Sequence, residues 1–330
     1  MSRLRLLSLF SGIGAFEKAL SNLNITYDLV AFSEIDKFAS KAYCLIHNES
    51  ENKNLGDINL INEKNLPDFD LMTYGFPCQS FSIQGERLGF EDPERGNLFF
   101  ESMRIAREKR PKYMIAENVK GLINHDKGRT FDIILTILKS LGYNNYYKVV
   151  NAKDHGVPQA RERIFIVSIR KDIDHYGYQF PEGTKLTKTF YDFLENEVDD
   201  KYNREDYFKS KSKYHNLEYD DMTILKLIEN GEKISKRNDG LIYTLTASGR
   251  NSGNNLYICK LKRVLTPVES WKLMGFDRSD AIKCKESGIS DSQLYKMAGN
   301  SIVVNVLEDI FKNLLISKEI YLDKKEVVSI

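Results

Sequence analysis

A cysteine in the stretch GFPCQSFS, residues 75 to 82, is the side chain with the clearest potential for chemistry. The thiolate is the reactive form of cysteine. Since an ordinary thiol has a pKa of about 8.5, a nucleophilic Cys78 needs backbone N–H groups or a cation nearby. Pro77 stiffens the approach to it, and polar side chains follow it. A buried structural thiol is the alternative, so the rest of the chain must supply partners for a nucleophile.

Side chains of the required types stand at the ends of two further predicted strands. Glu117, in ENV, ends the strand predicted at 112–119. A carboxyl group partly shielded from water can carry a proton near neutral pH. In QARER, residues 159 to 163, the alternation of Arg161 and Arg163 predicts that both lie on one face of a strand beginning there. A guanidinium can hold a carboxylate, a phosphate or a carbonyl by a two-pronged hydrogen bond, although a solvated strand end explains either arginine alone.

A glycine turn, FSGIG, follows the first predicted strand and opens the first helix. In an open parallel sheet, a nucleotide-like ligand approaches backbone N–H groups at this turn. Glu17 stands where a dinucleotide-binding fingerprint has its last glycine, so the fingerprint is incomplete. A negative side chain near the turn would also repel a pyrophosphate, and both features argue against a dinucleotide ligand. Glu34 ends the second strand, where a carboxylate can bind both ribose hydroxyls, and Asp57 can meet an adenine amino group. Either acid alone is more simply a solvated strand end, but together these features favour S-adenosylmethionine over NAD.

Strands alternate with helices through the first half of the chain, which predicts a mostly parallel sheet covered on both faces. The predicted strands are 4–10, 27–35, 70–75, 112–119, 146–152 and 163–169, and the predicted helices are 14–23, 37–47, 97–109 and 129–141. From 181 to 262 the sequence is polar and aromatic and the alternation is lost, which indicates a second, irregular module. A short helix at 267–276 and an amphipathic helix from about 300 to 315 complete the prediction.

Composition is typical of an intracellular globular protein. The 330 residues suffice for a large core, and 48 basic against 47 acidic side chains give a net charge of +1. With so small a net charge, the protein as a whole does not attract a polyanion electrostatically. A local basic groove would nevertheless be enough to bind nucleic acid. The four scattered cysteines predict a reducing compartment and no metal site, and no apolar run approaches the ~20 residues of a membrane span. We therefore predict a cytoplasmic protein without metal or membrane partners.

Nine motifs in order make the sequence resemble the C5-cytosine DNA methyltransferases over nearly its full length. They are FSGIG, the acidic Glu34, GDI, GFPCQSFS, RGNLFF, ENV, QARER, RVLTPVESWKLMGF and YKMAGNSIVVNVL. The combination of PCQ, ENV and QxRxR at these separations is highly specific. The stretch from Gly75 to Arg163 is especially similar to the compact bacterial restriction-modification and phage enzymes.

The resemblance implies an α/β fold with a doubly wound, mostly parallel, Rossmann-like sheet and a smaller irregular β-rich domain. The catalytic, S-adenosylmethionine-binding domain is expected at 1–185 and 295–330, and the target recognition domain with its hinge at 186–294. The small recognition domain implies one short DNA site rather than several. A monomer acting on double-stranded DNA is expected, because all catalytic parts lie in one chain. The similarity to restriction-modification enzymes makes a cognate restriction endonuclease a candidate partner.

The resemblance also implies a mechanism and its site residues. Cys78 adds to carbon 6 of a cytosine flipped out of the duplex, and Glu117 gives or shares a proton at ring nitrogen 3. Arg163 holds the cytosine carbonyl, with Arg161 nearby, and S-adenosyl-L-homocysteine is the second product. The implied cofactor-binding residues are Phe10, Gly12, Gly14, Glu34, Asp57, Pro77, Leu98, Asn300 and Ser301. The DNA-binding candidates, for which an ordinary surface loop is the alternative, are Ser82, Gln84, Arg87, Arg237, Thr244, Ser248 and Arg250.

Three other functions compete with this one. The transfer RNA branch of the family shares PCQ and ENV, but it usually shows a Cys-Phe-Thr signature that this sequence lacks. A non-catalytic DNA-binding relative typically loses the cysteine or the glutamate, whereas Cys78, Glu117 and Arg163 are all present. A NAD-dependent dehydrogenase is disfavoured by the truncated glycine pattern.

Overall fold

The computed structural model describes residues 3–77, 98–175, 177–210, 218–228, 233–247 and 253–316. The chain divides into two compact units. The first contains residues 1–150, 162–182 and 308–330, and the second contains 151–161 and 183–307. The boundary at 182 and 183 lies close to the one expected at 185. Residues 151–161 and 295–307, expected in the catalytic domain, instead group with the second unit.

A six-stranded mixed sheet forms the centre of the first unit. The first seven strands are β1 (Leu4–Leu9), β2 (Tyr27–Ser33), β3 (Leu71–Tyr74), β4 (Tyr113–Val119), β5 (Tyr143–Asn151), β6 (Gln159–Ala160) and β7 (Glu162–Arg170). All except β6 join this sheet, in the order β2-β1-β3-β4-β7-β5. The pairs β1–β2, β1–β3 and β3–β4 are parallel, and β4–β7 is antiparallel. The sheet therefore brings the carboxyl ends of β1 to β4 to one edge, where ligands bind in such folds.

Among the described residues up to the end of β5, four α-helices accompany this sheet, and each lies where the sequence predicts one. They are α1 (Ala15–Asn22), α2 (Lys37–His47), α3 (Leu98–Lys109) and α4 (Arg129–Ser140). The start of α2 shows why the prediction succeeds, because the Asp36 carboxylate accepts the N–H groups of Phe38 and Ala39 at 2.9 and 3.2 Å. Apolar side chains of the strands and helices share one core, with Met72, Phe99, Met114 and Ile134 all fully buried.

The second unit combines short strands and helices. Its elements after β6 are α5 (Glu205–Lys209), β8 (Ile224–Ile228), β9 (Lys233–Arg237), β10 (Ile242–Tyr243), β11 (Leu256–Ile258), β12 (Arg263–Val264), α6 (Pro267–Lys272), α7 (Arg278–Glu286), α8 (Asp291–Asn300) and α9 (Val304–Phe311). Strands β12, β11, β8 and β9 form an antiparallel sheet, and β6 pairs in parallel with β10. The Phe208 ring stacks on Tyr257 with centroids 4.0 Å apart.

The C-terminal helix begins later than predicted. The helix expected from residue 300 cannot start there, because Asn300 is the last residue of α8 and Ser301, with extended dihedral angles φ −73° and ψ 164°, ends that helix. Helix α9 starts at Val304, and its last residues belong to the first unit, where the Phe311 ring meets Phe16 edge-on at 6.3 Å between centroids. None of the helices in the described ranges is long and apolar enough to cross a membrane.

Candidate active site

The glycine turn after β1 lies directly against α2. Gly14 has φ +79°, and a Cβ there would lie 2.1 Å from His47 Nε2 and 2.9 Å from the Tyr43 ring. Only glycine fits this approach and this backbone conformation. His47 Nε2 also lies 3.1 Å from the carbonyl oxygen of Ile13. A Cβ on Gly12, by contrast, would meet no atom within 4 Å, so the backbone there borders open space.

Glu34 is held in a fixed orientation at the end of β2. Its Oε2 accepts the Gly12 N–H at 2.9 Å, and its Oε1 accepts the Asp36 N–H at 2.7 Å. Asn54 fixes the Glu34 backbone, accepting its N–H at 3.1 Å and donating to its carbonyl at 2.9 Å. Burial raises the pKa of Glu34, while the two N–H groups oppose that rise. Each carboxylate oxygen keeps capacity to accept a further hydrogen bond, which suits a pair of ligand hydroxyls.

Asp57 comes from a segment that runs beside the end of β2. The Leu55 N–H donates to the Phe32 carbonyl at 2.7 Å, and the Ser33 hydroxyl donates to the Gly56 carbonyl at 2.6 Å. The Asp57 carboxylate accepts the backbone and side-chain N–H groups of Asn59 at 2.9 and 2.7 Å. The structure thus brings the segments that carry Glu34 and Asp57 together at one edge of the sheet.

The other predicted cofactor residues have varied surroundings. Phe10 and Leu98 are half-buried against the core of the first unit, and Pro77 is exposed. Asn300 is exposed at the end of α8, while Ser301 is 7% exposed and its hydroxyl donates to the Ile302 carbonyl at 3.2 Å. Both lie in the second unit. Their contact with a cofactor stays a prediction.

Glu17 does not present a charge to the glycine turn, so this part of the sequence argument is wrong. Its side chain is fully buried, and its Oε1 accepts the Tyr43 hydroxyl at 2.9 Å. Burial raises the pKa of Glu17, which favours the neutral carboxyl. Because Glu17 lies in α1, its side chain points into the interior. The spacing of residues in a motif does not reveal this direction.

Sequence reasoning missed two residues beside Glu34. Asn54 holds its backbone, as described above, and no local pattern marks that role. Ile35 exposes 79% of its surface directly after Glu34. An exposed apolar side chain is common by itself, but here it offers a nonpolar surface next to the proposed ribose contact. The sequence signal that could have identified Ile35 is its position between two acidic residues, Glu34 and Asp36, at a strand end.

Glu117 and Arg163 form an ion pair across neighbouring strands. Arg163 Nε lies 3.1 Å from Glu117 Oε1, and the two side chains are 17% and 12% exposed. Antiparallel pairing of β4 and β7 sets Val119 opposite Arg163. Arg163 Nη1 also donates to the Glu162 carbonyl at 2.8 Å, which fixes the guanidinium. A carboxylate is thus the partner that the structure gives Arg163, and the contact of Arg163 with a cytosine carbonyl stays a prediction.

The segment that leads to Cys78 is anchored to the same strand end. Asn118 Nδ2 donates to the Phe76 carbonyl at 2.8 Å, and a Cβ on Gly75 would lie 3.9 Å from Glu117 Oε2. The chain thus passes the Glu117 carboxylate three residues before Cys78. Cys78 itself lies outside the described residues. Asn118 is a further positioning residue that the sequence analysis quoted in ENV but did not assign.

Arg161 has partners quite different from those of Arg163, and the prediction of one strand face is wrong. Strand β6 ends at Ala160 and β7 begins at Glu162, because the two strands pair with different neighbours. The Arg161 side chain is buried, and it donates to the carbonyls of Leu245, Gly299 and Ser301 at 2.7, 3.2 and 2.6 Å. These contacts within the second unit explain why residues 151–161 group with it. They favour a positioning role over direct participation in chemistry.

The residues that Arg161 joins approach each other closely. A Cβ on Gly299 would lie 2.0 Å from the Thr246 carbonyl carbon and 2.1 Å from the Ala247 nitrogen. We expect Gly299→Ala to destabilise the protein by roughly 3 kcal/mol, since backbone atoms cannot move aside cheaply. Chemical unfolding monitored by circular dichroism would measure this. The matched control is Gly121→Ala, where a Cβ meets nothing within 4 Å. Equal unfolding midpoints for the two variants would contradict the expected clash.

The described DNA-binding candidates have internal partners. Both carboxylate oxygens of Asp239 accept from Arg237, at 2.6 and 2.9 Å, and the Arg237 guanidinium lies 5.7 Å from the Tyr243 ring centroid. The Thr244 hydroxyl donates to the Ala160 carbonyl. Base contacts by these two residues stay predictions. The remaining candidates lie outside the described residues and are Ser82, Gln84, Arg87, Ser248 and Arg250.

An open α/β sheet with a glycine turn and an acidic second strand end is typical of S-adenosylmethionine-dependent methyltransferases. The solved structure of the Dnmt2 methyltransferase of S. pombe has this fold, with a TM-score of 0.68 at 21% identity, over 96% of this chain and 99% of that one. This likeness confirms the predicted fold class. The model of the C-5 cytosine-specific DNA methylase family matches residues 4–315.

Two curated relatives match over nearly their whole length. The orphan methyltransferase M.SPRI of Bacillus phage SPR is 35% identical, covering 96% of this chain and 98% of the relative. The type II methyltransferase M.Bsp6I of Bacillus sp. (strain RFL6) is 36% identical, covering 94% of this chain and 100% of the relative. The chain belongs to the C-5 cytosine-specific DNA methylase family, which uses S-adenosylmethionine. The predicted family and enzyme class are confirmed.

Proposed function

We propose that this chain methylates carbon 5 of one cytosine within a short duplex DNA site, with S-adenosylmethionine as donor and Cys78 as nucleophile. The observation that carries the proposal is the arrangement at the end of β4. There the Glu117–Arg163 ion pair stands beside the segment that leads directly to Cys78. A nucleophile, a proton donor and a guanidinium are thereby expected at one edge of the sheet.

The residues of the first unit fit S-adenosylmethionine. The Glu34 carboxylate, held by two N–H groups, suits the ribose hydroxyls, and the open space at Gly12 admits a ligand close to the backbone. Ile35 adds an exposed apolar surface for the adenine face. The cofactor would supply a methyl group on a positively charged sulfur.

The protein residues make carbon 5 reactive. The Cys78 thiolate adds to carbon 6, and the electrons of the 5,6 double bond move into the ring while Glu117 gives a proton to nitrogen 3. Carbon 5 of the resulting enamine is a nucleophile and can take the methyl group. Loss of the carbon 5 proton to a base then expels the Cys78 thiolate and restores the ring. Arg163 holds Glu117 and would also hold the cytosine carbonyl.

The lack, within the matched region, of segments that a longer relative carries supports a single short recognition site. The alignment with M.SPRI runs over 438 positions, more than the 330 residues of this chain, so that relative carries segments absent here. The alignment with M.Bsp6I runs over 328 positions. We propose that the second unit reads the DNA and that the enzyme acts as a monomer in the cytoplasm.

Methylome sequencing tests the function directly. Plasmid DNA from cells that express this chain is treated with bisulfite beside DNA from cells that express Cys78→Ser. We expect cytosines at one short motif to resist conversion only with the unaltered chain. If neither sample shows a protected motif, duplex DNA is not the substrate, and methylation of transfer RNA from the same cells would then support the alternative branch.

The ribose contact gives a second prediction. We expect Glu34→Ala to raise the dissociation constant for S-adenosylmethionine by roughly tenfold or more, because hydrogen bonds to a charged group are lost. Affinity for DNA should change little. Calorimetry measures the first quantity and a fluorescence anisotropy titration the second. Glu51→Ala, an exposed acid of the same unit, is the control. Cofactor binding equal to that of the control would place the ribose contact elsewhere.

A further inference from the structure

Arg104, which the sequence analysis did not single out, joins α3 to the segment that follows Asp57. Its Nη1 donates to the Ile61 carbonyl at 2.9 Å, and its Nη2 donates to the Ile58 carbonyl at 3.2 Å. Its Nε donates to Glu101 Oε2 at 2.8 Å, and the guanidinium also pairs with Glu63. Two backbone carbonyls and two carboxylates thus surround one side chain that is 30% exposed.

The two carbonyls belong to residues at the two ends of a short 3-10 turn, Ile58–Leu60. Asp57 is the N-cap of this turn, and Ile61 is its C-cap. The backbone already closes this turn, because Leu60 N–H donates to the Asp57 carbonyl at 3.0 Å. A turn of three residues has little stability by itself. A planar guanidinium with five N–H donors can hold both carbonyls and both acids at once, which a lysine ammonium cannot do in the same geometry.

Helix α3 begins with a residue that is predicted to contact the cofactor. This first residue is Leu98. Ile58 and Ile61 are buried in the same core as Phe99 and Met103 of α3. The apolar side chains therefore bring the turn and the helix together, but nonpolar contacts alone do not fix the direction of the Asp57 backbone.

We propose that Arg104 is a positioning residue for cofactor binding. It sets the turn that carries Asp57 against the start of α3, so that Asp57 and Leu98 keep a fixed separation. The assignment rests on the proposed function, since both contacts are made to S-adenosylmethionine. It predicts an effect on cofactor affinity rather than on DNA affinity, because the guanidinium contacts only the turn, Glu63 and its own helix among the described contacts.

The test compares Arg104→Met and Arg104→Lys with Arg107→Met, a matched exposed arginine one turn along α3. Calorimetric titration with S-adenosylmethionine gives affinity and stoichiometry separately. We expect Arg104→Met to raise the dissociation constant by about tenfold. Arg104→Lys should recover only part of that loss, and Arg107→Met should match the unaltered chain. In Arg104→Met, the KM for the cofactor should rise by a similar factor to the dissociation constant, and the KM for DNA should stay unchanged.

Loss of folded protein would lower the binding stoichiometry without raising the dissociation constant, which separates positioning from stability. An unchanged dissociation constant in Arg104→Met, or an equal rise in Arg107→Met, would overturn the inference. If the unaltered chain itself fails to bind S-adenosylmethionine, the proposed function fails instead. The two failures are thus distinguishable in one experiment.

Discussion

Cys78→Ser is expected to lower the rate of methyl transfer by roughly 10³-fold or more, while cofactor affinity stays unchanged. A serine hydroxyl is hardly ionised at neutral pH, so it cannot add to carbon 6 as a thiolate does. The measurement is incorporation of labelled methyl groups into duplex DNA that contains the protected motif. Calorimetry with S-adenosylmethionine on the same preparation verifies that the variant is folded. Full activity in the variant would exclude the proposed nucleophile.

A covalent trap examines the same residue without relying on rate. If carbon 5 carries fluorine in place of hydrogen, the final elimination cannot occur and the thiol remains bonded to carbon 6. Incubation with such DNA and the cofactor should give a complex that survives denaturing electrophoresis. The complex should be absent with Cys78→Ser. A complex of equal yield in the variant would show that another residue forms the bond.

Glu117→Gln is expected to lower kcat by roughly 10²- to 10⁴-fold, because an amide cannot deliver a proton to ring nitrogen 3. The substitution keeps the shape of the side chain, so the contacts that hold the end of β4 should survive. The anchoring bond between Asn118 and Phe76 involves neither carboxylate oxygen. Single-turnover kinetics at saturating DNA and cofactor measure the chemical step itself.

The matched control for that variant is Glu162→Gln. Glu162 Oε2 lies 3.0 Å from Nζ of Lys120, the residue that follows β4, but the Glu162 side chain is 46% exposed. Exposed ion pairs contribute little to stability, so this variant should retain nearly full activity. A similar loss of kcat in both variants would mean that the effect comes from altered packing of the strands and not from proton transfer.

The pattern of apolar and polar residues predicted most of the strands and helices of the first unit. Strands such as LRLLSL and LMTY are short, mostly apolar segments. When such segments alternate with amphipathic helices, a parallel sheet covered by helices on both faces is the favoured arrangement. Glu34 and Glu117 were predicted at strand ends, and the structure has them there. Local pattern suffices in these cases, because the carboxyl ends of parallel strands meet at one sheet edge.

Long-range contacts decided what the sequence could not. Alternation alone placed Arg161 and Arg163 on one face, but the change of strand partner at Arg161 sends its guanidinium to three carbonyls of the second unit. Glu17 faces the core rather than the turn, and Arg104 gained its role from carbonyls more than 40 positions away. Periodicity reports which residues share a face of one element. The partner of that face is set by packing between segments distant in the chain, and only the tertiary structure contains that information.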